Sequence, residues 1–180
     1  SQQKLAEDIS KVVTDSGIDG ITIDFEYKGN PGQSYQQKYN QMISLLRNSL
    51  HQKAPNALLT VALPTYEENT LYDLAGLSQS SDRVFAMSYN FIVPEVKGNS
   101  PSNPVYGYKE SDYWNDLSKV INSYGQKVPQ NKLVLERAWY GNGEEYPLYT
   151  PNIALGPEKT HEPAHVLLDK DTVDRLVSGV

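Results

Sequence analysis

Residues 18–27 read IDGITIDFEY, and this stretch decides the class of fold. Its β-branched and aromatic residues alternate with polar ones over a length typical of a β-strand. Successive side chains in a strand point to opposite faces, so Thr22, Asp24 and Glu26 share one face and the apolar residues between them share the other. The pattern predicts a strand over residues 18–27 with one apolar face and one face that carries two carboxylates.

The rest of the chain alternates predicted helices with predicted strands. Further strands are predicted at Leu58–Pro64, Val84–Phe91 and Lys132–Gly141, with a short one at His165–Leu168. Helices are predicted before residue 17, from Ser34 to about His51, at Leu71–Leu77, along Trp114–Tyr124 and at Asp169–Val177. The connections are long enough for parallel pairing. Two architectures fit this order: an open doubly wound sheet, or a (β/α)₈ barrel, which typically needs about 250 residues.

Composition narrows the classes of function. The 180 residues are 38% hydrophobic and 21% charged, with a formal net charge of −6. No apolar run approaches the roughly 20 residues of a membrane helix, and no Lys/Arg stripe is present, so we expect neither membrane insertion nor a nucleic-acid partner. The chain has no cysteine, which excludes disulfides, thiolate zinc sites and cysteine nucleophiles.

The two carboxylates of the first strand suit acid–base chemistry. Asp24 and Glu26 are expected about 7 Å apart at their Cα atoms, close enough for their side chains to interact. Each ionised carboxylate raises the pKa of the other, so that one can stay protonated and act as a general acid. Two alternatives remain open: the solvated outer face of an edge strand, and a Mg²⁺ or Ca²⁺ site.

Residues 19–27, DGITIDFEY, resemble the DGxDxDxE signature on the fourth barrel strand of glycoside hydrolase family 18, the chitinase family. Residues 87–90, MSYN, look like the Met-x-Tyr-Asp motif of the family's sixth strand, and residues 139–141, WYG, look like the Tyr-Gly ending of its seventh. Residues 169–173 are similar to the helix start that precedes the eighth strand. The sequence looks closest to the bacterial branch with spore-germination and cell-wall-active members.

This resemblance implies a (β/α)₈ barrel. The chain would be a partial catalytic domain over residues 1–180, supplying the third helix through the seventh helix. Strands one to three would lie upstream and strand eight downstream.

The resemblance also implies a mechanism. The matching Glu26 would be the general acid and base, while the 2-acetamido carbonyl of the sugar attacks its own anomeric carbon. Asp24 would orient the acetamide and stabilise the oxazolinium ion, and Tyr89 would hydrogen-bond the acetamide oxygen. No metal and no cofactor is expected. Two positions depart from the family pattern, because Thr22 and Asn90 stand where the family has acidic residues; we expect an altered pH profile from Thr22, which cannot take up negative charge.

The remaining candidates for substrate binding are Asp19, Tyr27, Asn90, Trp139 and Arg137. Trp139 suits stacking on a sugar ring, but a core position is equally open. Arg137 suits a ligand hydroxyl or a structural salt bridge. The three histidines show no catalytic or metal-ligand spacing and are interpreted as surface or loop residues.

Three functions follow as hypotheses. The first is hydrolysis of β-1,4-linked N-acetylglucosamine polymers, whether chitin, peptidoglycan or an N-glycan core, by a secreted or cell-surface protein as the resemblance implies. The second is a lectin-like protein on the same scaffold, which Thr22 favours and the presence of Glu26 disfavours. The third is a metal-dependent enzyme acting on a phosphodiester.

Overall fold

The computed structural model describes residues 1–27, 29–65, 71–91, 102–107 and 113–138. The helices are α1 (Gln2–Ser16), α2 (Gln33–Lys53), α3 (Leu74–Ser80) and α4 (Leu117–Gly125). The strands are β1 (Gly20–Asp24), β2 (Leu58–Pro64), β3 (Arg83–Met87) and β4 (Leu133–Glu136). None of these helices is long and apolar enough to cross a membrane. The chain forms two compact units, residues 1–87 with 120–136 and residues 88–119 with 137–180.

The four strands form one parallel sheet in the order β1-β2-β3-β4. Gly20 pairs with Leu58 and Asp24 with Ala62, so that β1 lies beside the first five residues of β2. A parallel pair cannot be closed by a tight turn, and α2, α3 and α4 lie in the three crossovers between the strands. The parallel alternation predicted from the sequence is therefore confirmed.

The sheet has two chemically different faces, because registered partners in a parallel sheet point the same way. One face carries Thr22 and Asp24 from β1, with Met87 and Glu136 in a row at the carboxyl end of β3 and β4. The other face is apolar, and its Leu59, Val61, Leu63, Val84 and Ala86 are fully buried. Burying a Val or Leu side chain contributes about 1.5–3 kcal/mol, so this face supplies much of the core.

Gly20 allows β1 and β2 to approach at the start of the sheet. A Cβ atom at this position would lie 2.2 Å from the carbonyl oxygen of Leu58 and 2.8 Å from its nitrogen. These are backbone atoms of a paired strand, so neither could move without breaking the pairing. The glycine of the IDGITIDFEY stretch is therefore required by strand pairing and not by a turn.

Asp82 ties α2 to the amino ends of β2 and β3. Its carboxylate accepts hydrogen bonds from Arg47 Nε and Nη2, at 3.0 and 2.9 Å, and its other oxygen lies 3.0 Å from His51 Nε2. The same carboxylate accepts the Leu59 N–H at 2.9 Å, while the Asp82 N–H donates to the Leu59 carbonyl at 2.8 Å. Burial opposes ionisation of Asp82, but the Leu59 N–H and the Arg47 and His51 partners outweigh it and lower the pKa of this carboxyl.

The second unit has an aromatic centre of its own. The fully buried Phe91 meets Trp114 edge to face, with ring centroids 5.1 Å apart. Backbone hydrogen bonds also connect these residues. The Phe91 N–H donates to the Ser102 carbonyl, and the Trp114 N–H donates to the Phe91 carbonyl.

Several sequence predictions were wrong at element boundaries. The first strand ends at Asp24 and not at Tyr27, because the main chain on both sides of Glu26 bonds a tyrosine hydroxyl instead of a neighbouring strand. The third strand ends at Met87, since the Phe91 N–H pairs with a loop carbonyl, and the fourth ends at Glu136.

The predicted helices and side-chain positions need similar corrections. The helix expected at 71–77 is α3, and Trp114 precedes α4 because the Asp116 carboxylate accepts the Lys119 N–H and starts the helix there. The helical spacing of Tyr35 predicts a core position, but this residue is 59% exposed. His51 is not a plain surface residue, since it is half-buried against Asp82. The elements predicted after residue 163, together with His161 and His165, lie outside the described residues.

We expect Asp82→Asn to lower the free energy of unfolding by about 1–3 kcal/mol at neutral pH, because it leaves half-buried donors without a charged acceptor. A carboxyl with a lowered pKa stabilises the fold above its unfolded pKa, and this contribution is lost as the pH falls. The difference between parent and variant should therefore shrink from about pH 5 toward about pH 3 in urea unfolding.

Asp15→Asn is the matched control, because Asp15 pairs with Lys11 only on the exposed side of α1. It should change stability by less than about 0.5 kcal/mol. Equal effects of the two substitutions would contradict the structural role of Asp82.

Candidate active site

The carboxylate pair lies where β1 leaves the sheet. Asp24 is the last residue of the strand, paired with Ala62, and Glu26 follows two residues later. Both side chains are exposed. In α/β proteins with parallel sheets, ligands bind at the carboxyl ends of the strands, so these residues lie at the edge of the sheet where chemistry is expected.

The residues on both sides of Glu26 are held through their main-chain groups by the side chain of Tyr72. The hydroxyl of Tyr72 donates to the Phe25 carbonyl and accepts the Tyr27 N–H at 2.9 Å. Glu26 therefore lies on a short segment, residues 25–27, that is fixed on both sides. We call this segment the acid loop.

Tyr39 of α2 lies within range of the charge of Asp24. Its side chain is 6% exposed, and its ring centroid is 6.2 Å from Phe25 and 5.8 Å from Tyr72. Burial, and then the nearby Tyr72 and the charge of Asp24, raise the pKa of Tyr39 well above its usual range. Within the described residues its hydroxyl has no hydrogen-bond partner. Tyr39 is thus a buried, protonated phenol whose pKa is affected by the charge of Asp24.

Glu136 is a second carboxyl group on which the charge of Asp24 acts. It is the last residue of β4, pairs with Met87, and lies on the same face of the sheet as Asp24. Burial, and then the negative charge of Asp24, raise the pKa of Glu136 above its usual range. Glu136 is not among the site residues predicted from the sequence. Strand parity could have found it, because Glu136 is an acidic residue in a predicted strand.

Position 22 carries no charge beside Asp24. Thr22 lies two residues before Asp24, on the same face of the sheet. It pairs with Thr60 of β2 and is exposed. Its hydroxyl can form a hydrogen bond, but it cannot carry a negative charge or share a proton with Asp24 as a carboxylate can. The carboxyl group on which the charge of Asp24 acts is therefore that of Glu136 on β4, and position 22 of β1 supplies none.

Tyr89 and Asn90 follow β3 directly and belong to the second unit. Tyr89 is half-buried and Asn90 is exposed, with a backbone φ of 58°. Asn tolerates this left-handed conformation better than most residues, and its carbonyl accepts the Trp114 Nε1–H at 3.0 Å. The predicted role of Tyr89 toward an acetamide stays a prediction.

The other predicted binding residues lie at different places. Tyr27 is at the end of the acid loop and 43% exposed. Asp19 precedes β1 at the opposite edge of the sheet, where its carbonyl accepts the Leu58 N–H, and five residues of strand, about 16 Å, separate it from Asp24. Arg137 is exposed just after β4, with no ion pair in the described part of the chain. Trp139 lies outside the described residues.

The described residues contain no group of three or more His, Asp or Glu side chains that could hold a metal ion.

We expect Glu136→Gln to stabilise the protein relative to the parent as the pH rises. A carboxyl with a raised folded-state pKa contributes most stability below its unfolded pKa, and that contribution is lost as it ionises. Glutamine stays neutral, so the gain in urea midpoint should be absent near about pH 4 and present near about pH 7. A midpoint difference that does not change with pH would show that the pKa of Glu136 is not raised in the folded protein.

The family comparison agrees with the geometry. The chain matches the family described as glycosyl hydrolases family 18 over residues 1–162. Several solved structures share its fold. A Group IV chitinase of Ostrinia furnacalis in complex with allosamidin is 20% identical with a TM-score of 0.66, over 78% of this chain and 40% of that chain.

Two bacterial structures are similar. A family 18 N-acetylglucosaminidase of Paenibacillus barengoltzii is 19% identical with a TM-score of 0.66, over 77% of this chain and 44% of that one. A candidate sporulation-specific glycosylase of Bacillus subtilis, ydhD, is 20% identical with a TM-score of 0.62, over 98% of this chain and 53% of that one.

The chain spans about 40% of the length of the insect chitinase structures that it matches. At these identities the similarity shows the fold, in which the four parallel strands are part of a (β/α)₈ barrel. Since the family match extends over residues 1–162 and the solved structures share its fold, the chain belongs to glycosyl hydrolases family 18.

Proposed function

We propose that the protein hydrolyses β-1,4 glycosidic bonds in polymers that contain N-acetylglucosamine, with Glu26 as general acid and base. The observation that carries this proposal is the position of Asp24 and Glu26 at the carboxyl end of β1, in a chain of family 18. Catalytic residues of (β/α)₈ barrels come from the carboxyl ends of strands.

In the first step, Glu26 gives its proton to the glycosidic oxygen of the leaving sugar. The 2-acetamido carbonyl oxygen of the neighbouring sugar attacks its own anomeric carbon, and the bond from that carbon to the leaving oxygen breaks. The product is a cyclic oxazolinium ion. Glu26, now ionised, takes a proton from water, which attacks the anomeric carbon and opens the ring. Two displacements at one carbon retain the configuration.

Asp24 stabilises the positive charge that develops on the acetamide. Its exposed carboxylate ends β1 two residues before Glu26, and its charge acts on both Tyr39 and Glu136. Fixed negative charge next to a developing cation lowers the barrier without reorganisation in the reaction step. Tyr89 is proposed to hold the acetamide oxygen in line.

Glu136 supports the proposal at the point where the family pattern is broken. The middle acidic residue of the motif is Thr22 here, so the usual carboxylate partner of Asp24 on β1 is absent. Glu136 places a second carboxyl group on the same face of the sheet, and the charge of Asp24 raises its pKa. An altered pH profile, as expected from Thr22, should therefore involve Glu136 as well.

The substrate class rests on relatives in the same fold, which include chitinases and an N-acetylglucosaminidase. Chitin, peptidoglycan and an N-glycan core all contain the required 2-acetamido group next to the broken bond. The proposal that the protein acts outside the cell is likewise an expectation from the family.

A lectin-like protein is the second candidate, and Thr22 is the observation that favours it. A binding protein needs the sugar contacts but not a proton donor. Glu26, fixed between two anchored neighbours, favours the enzyme.

Glu26→Gln should abolish turnover, because glutamine cannot donate a proton to the leaving oxygen. In the natural protein that carries this chain, we expect release from a chromogenic di-N-acetylchitobioside to fall by at least about 100-fold. The Kd for a chitooligosaccharide, measured by calorimetry, should stay within a few-fold.

Glu7→Gln is the matched control, because Glu7 is an exposed carboxylate on α1 that accepts a hydrogen bond from Gln3. It should leave turnover unchanged. Turnover of Glu26→Gln within a few-fold of the parent would overturn the role of Glu26, and a parent that binds without release would decide for the lectin.

A further inference from the structure

We propose that Tyr72 is a positioning residue that sets the orientation of Glu26. This inference rests on the proposed function, since it assigns Tyr72 to the same reaction. Tyr72 lies just before α3, and its side chain is 8% exposed. It does not need to touch the substrate, because it acts on the main chain of the acid loop.

One hydroxyl holds both sides of Glu26. The Tyr72 O–H donates to the Phe25 carbonyl, and the same oxygen accepts the Tyr27 N–H at 2.9 Å. The two main-chain groups belong to the residues immediately before and after Glu26. Their common partner therefore limits rotation of the backbone that carries the Glu26 side chain.

The acid loop needs this partner because strand pairing stops before it. The register of β1 with β2 ends at Asp24 and Ala62, so residues 25–27 lie beyond the ladder. Two part-buried hydrogen bonds to the Tyr72 hydroxyl replace the missing strand neighbour at this point. A displacement of a general acid by about 1 Å can cost about 100-fold in rate, so the orientation matters for catalysis.

Tyr72 is itself fixed by two consecutive residues of α2. The Tyr39 ring meets the Tyr72 ring edge to face, with centroids 5.8 Å apart at an interplanar angle of 72°. The next residue, Asn40, donates from Nδ2 to the Asp73 carboxylate at 3.0 Å. Residues 72 and 73 are therefore held together against α2, and the Tyr72 hydroxyl is aimed at the acid loop.

Gly76 leaves room for this arrangement. A Cβ atom on Gly76 would lie 2.3 Å from Asp73 Oδ2 and 2.5 Å from Asn40 Nδ2. A side chain at position 76 would therefore displace the bond that fixes residue 73. The first turn of α3 is shaped to keep Asp73 on Asn40.

Tyr72→Phe tests the inference, because it removes both hydrogen bonds and keeps the ring. In the natural protein that carries this chain, we expect kcat on the chitobioside to fall by about 10- to 100-fold, with KM within about 2-fold. The Tyr27 amide should exchange faster with solvent deuterium in the variant. If the variant lost activity because it unfolded, amides throughout the protein would exchange faster, and not only the amide of Tyr27.

Tyr124→Phe is the matched control, because the Tyr124 hydroxyl is also buried and donates to one backbone carbonyl, that of Pro64, at 3.0 Å. It should lower stability to a similar extent and leave kcat within about 2-fold. Equal kcat losses in the two variants, or an unchanged kcat in Tyr72→Phe, would overturn the inference.

The two proposals fail in different ways. A parent protein without turnover would contradict the proposed function and the assignment of Tyr72 with it. A parent with normal turnover and an unaffected Tyr72→Phe variant would contradict the assignment of Tyr72 alone.

Discussion

The pairing of β1 with β2 is the constraint on which the rest of the structure depends. It begins where Gly20 lets the two backbones approach and ends where Asp24 meets Ala62. This short ladder determines on which face of the sheet the Asp24 side chain lies and at which residue the chain leaves the sheet. A one-residue slip would turn Asp24 to the apolar face, so that register and chemistry are set together.

The two edges of the sheet have different tasks. At the amino edge, Asp82 joins α2, β2 and β3 through a charged network centred on the Leu59 peptide. At the carboxyl edge lie the carboxyl groups of Asp24, Glu26 and Glu136. Stability at one end and reactivity at the other is the division typical of parallel barrels, and it lets the carboxyl edge carry groups that repel each other.

The sequence was sufficient for the order of helices and strands in the described residues and for the place of Asp24 at the carboxyl end of β1. Period-two alternation identified β1, the apolar run identified β2, and the family motif selected Asp24 and Glu26. The strand ends were not predictable, because the bonds that end β1 come from Tyr72, a residue 45 positions from Tyr27. Glu136 was missed for the same reason, since its importance depends on a charge on another strand. Tyr35 and Tyr39 follow the same helical pattern, and only packing separates the exposed ring from the buried one.

A site with a threonine at the motif's middle position is still chemically coherent. The charge of Asp24 acts on the carboxyl group of Glu136, and the Tyr72 hydroxyl bonds the acid loop on both sides of Glu26. The proposed mechanism requires two displacements at the anomeric carbon, and therefore retention of its configuration. Proton NMR of the first products of a chitooligosaccharide gives the most direct measurement. Two displacements release the β-anomer before mutarotation, whereas initial release of the α-anomer would indicate a single displacement and overturn the mechanism.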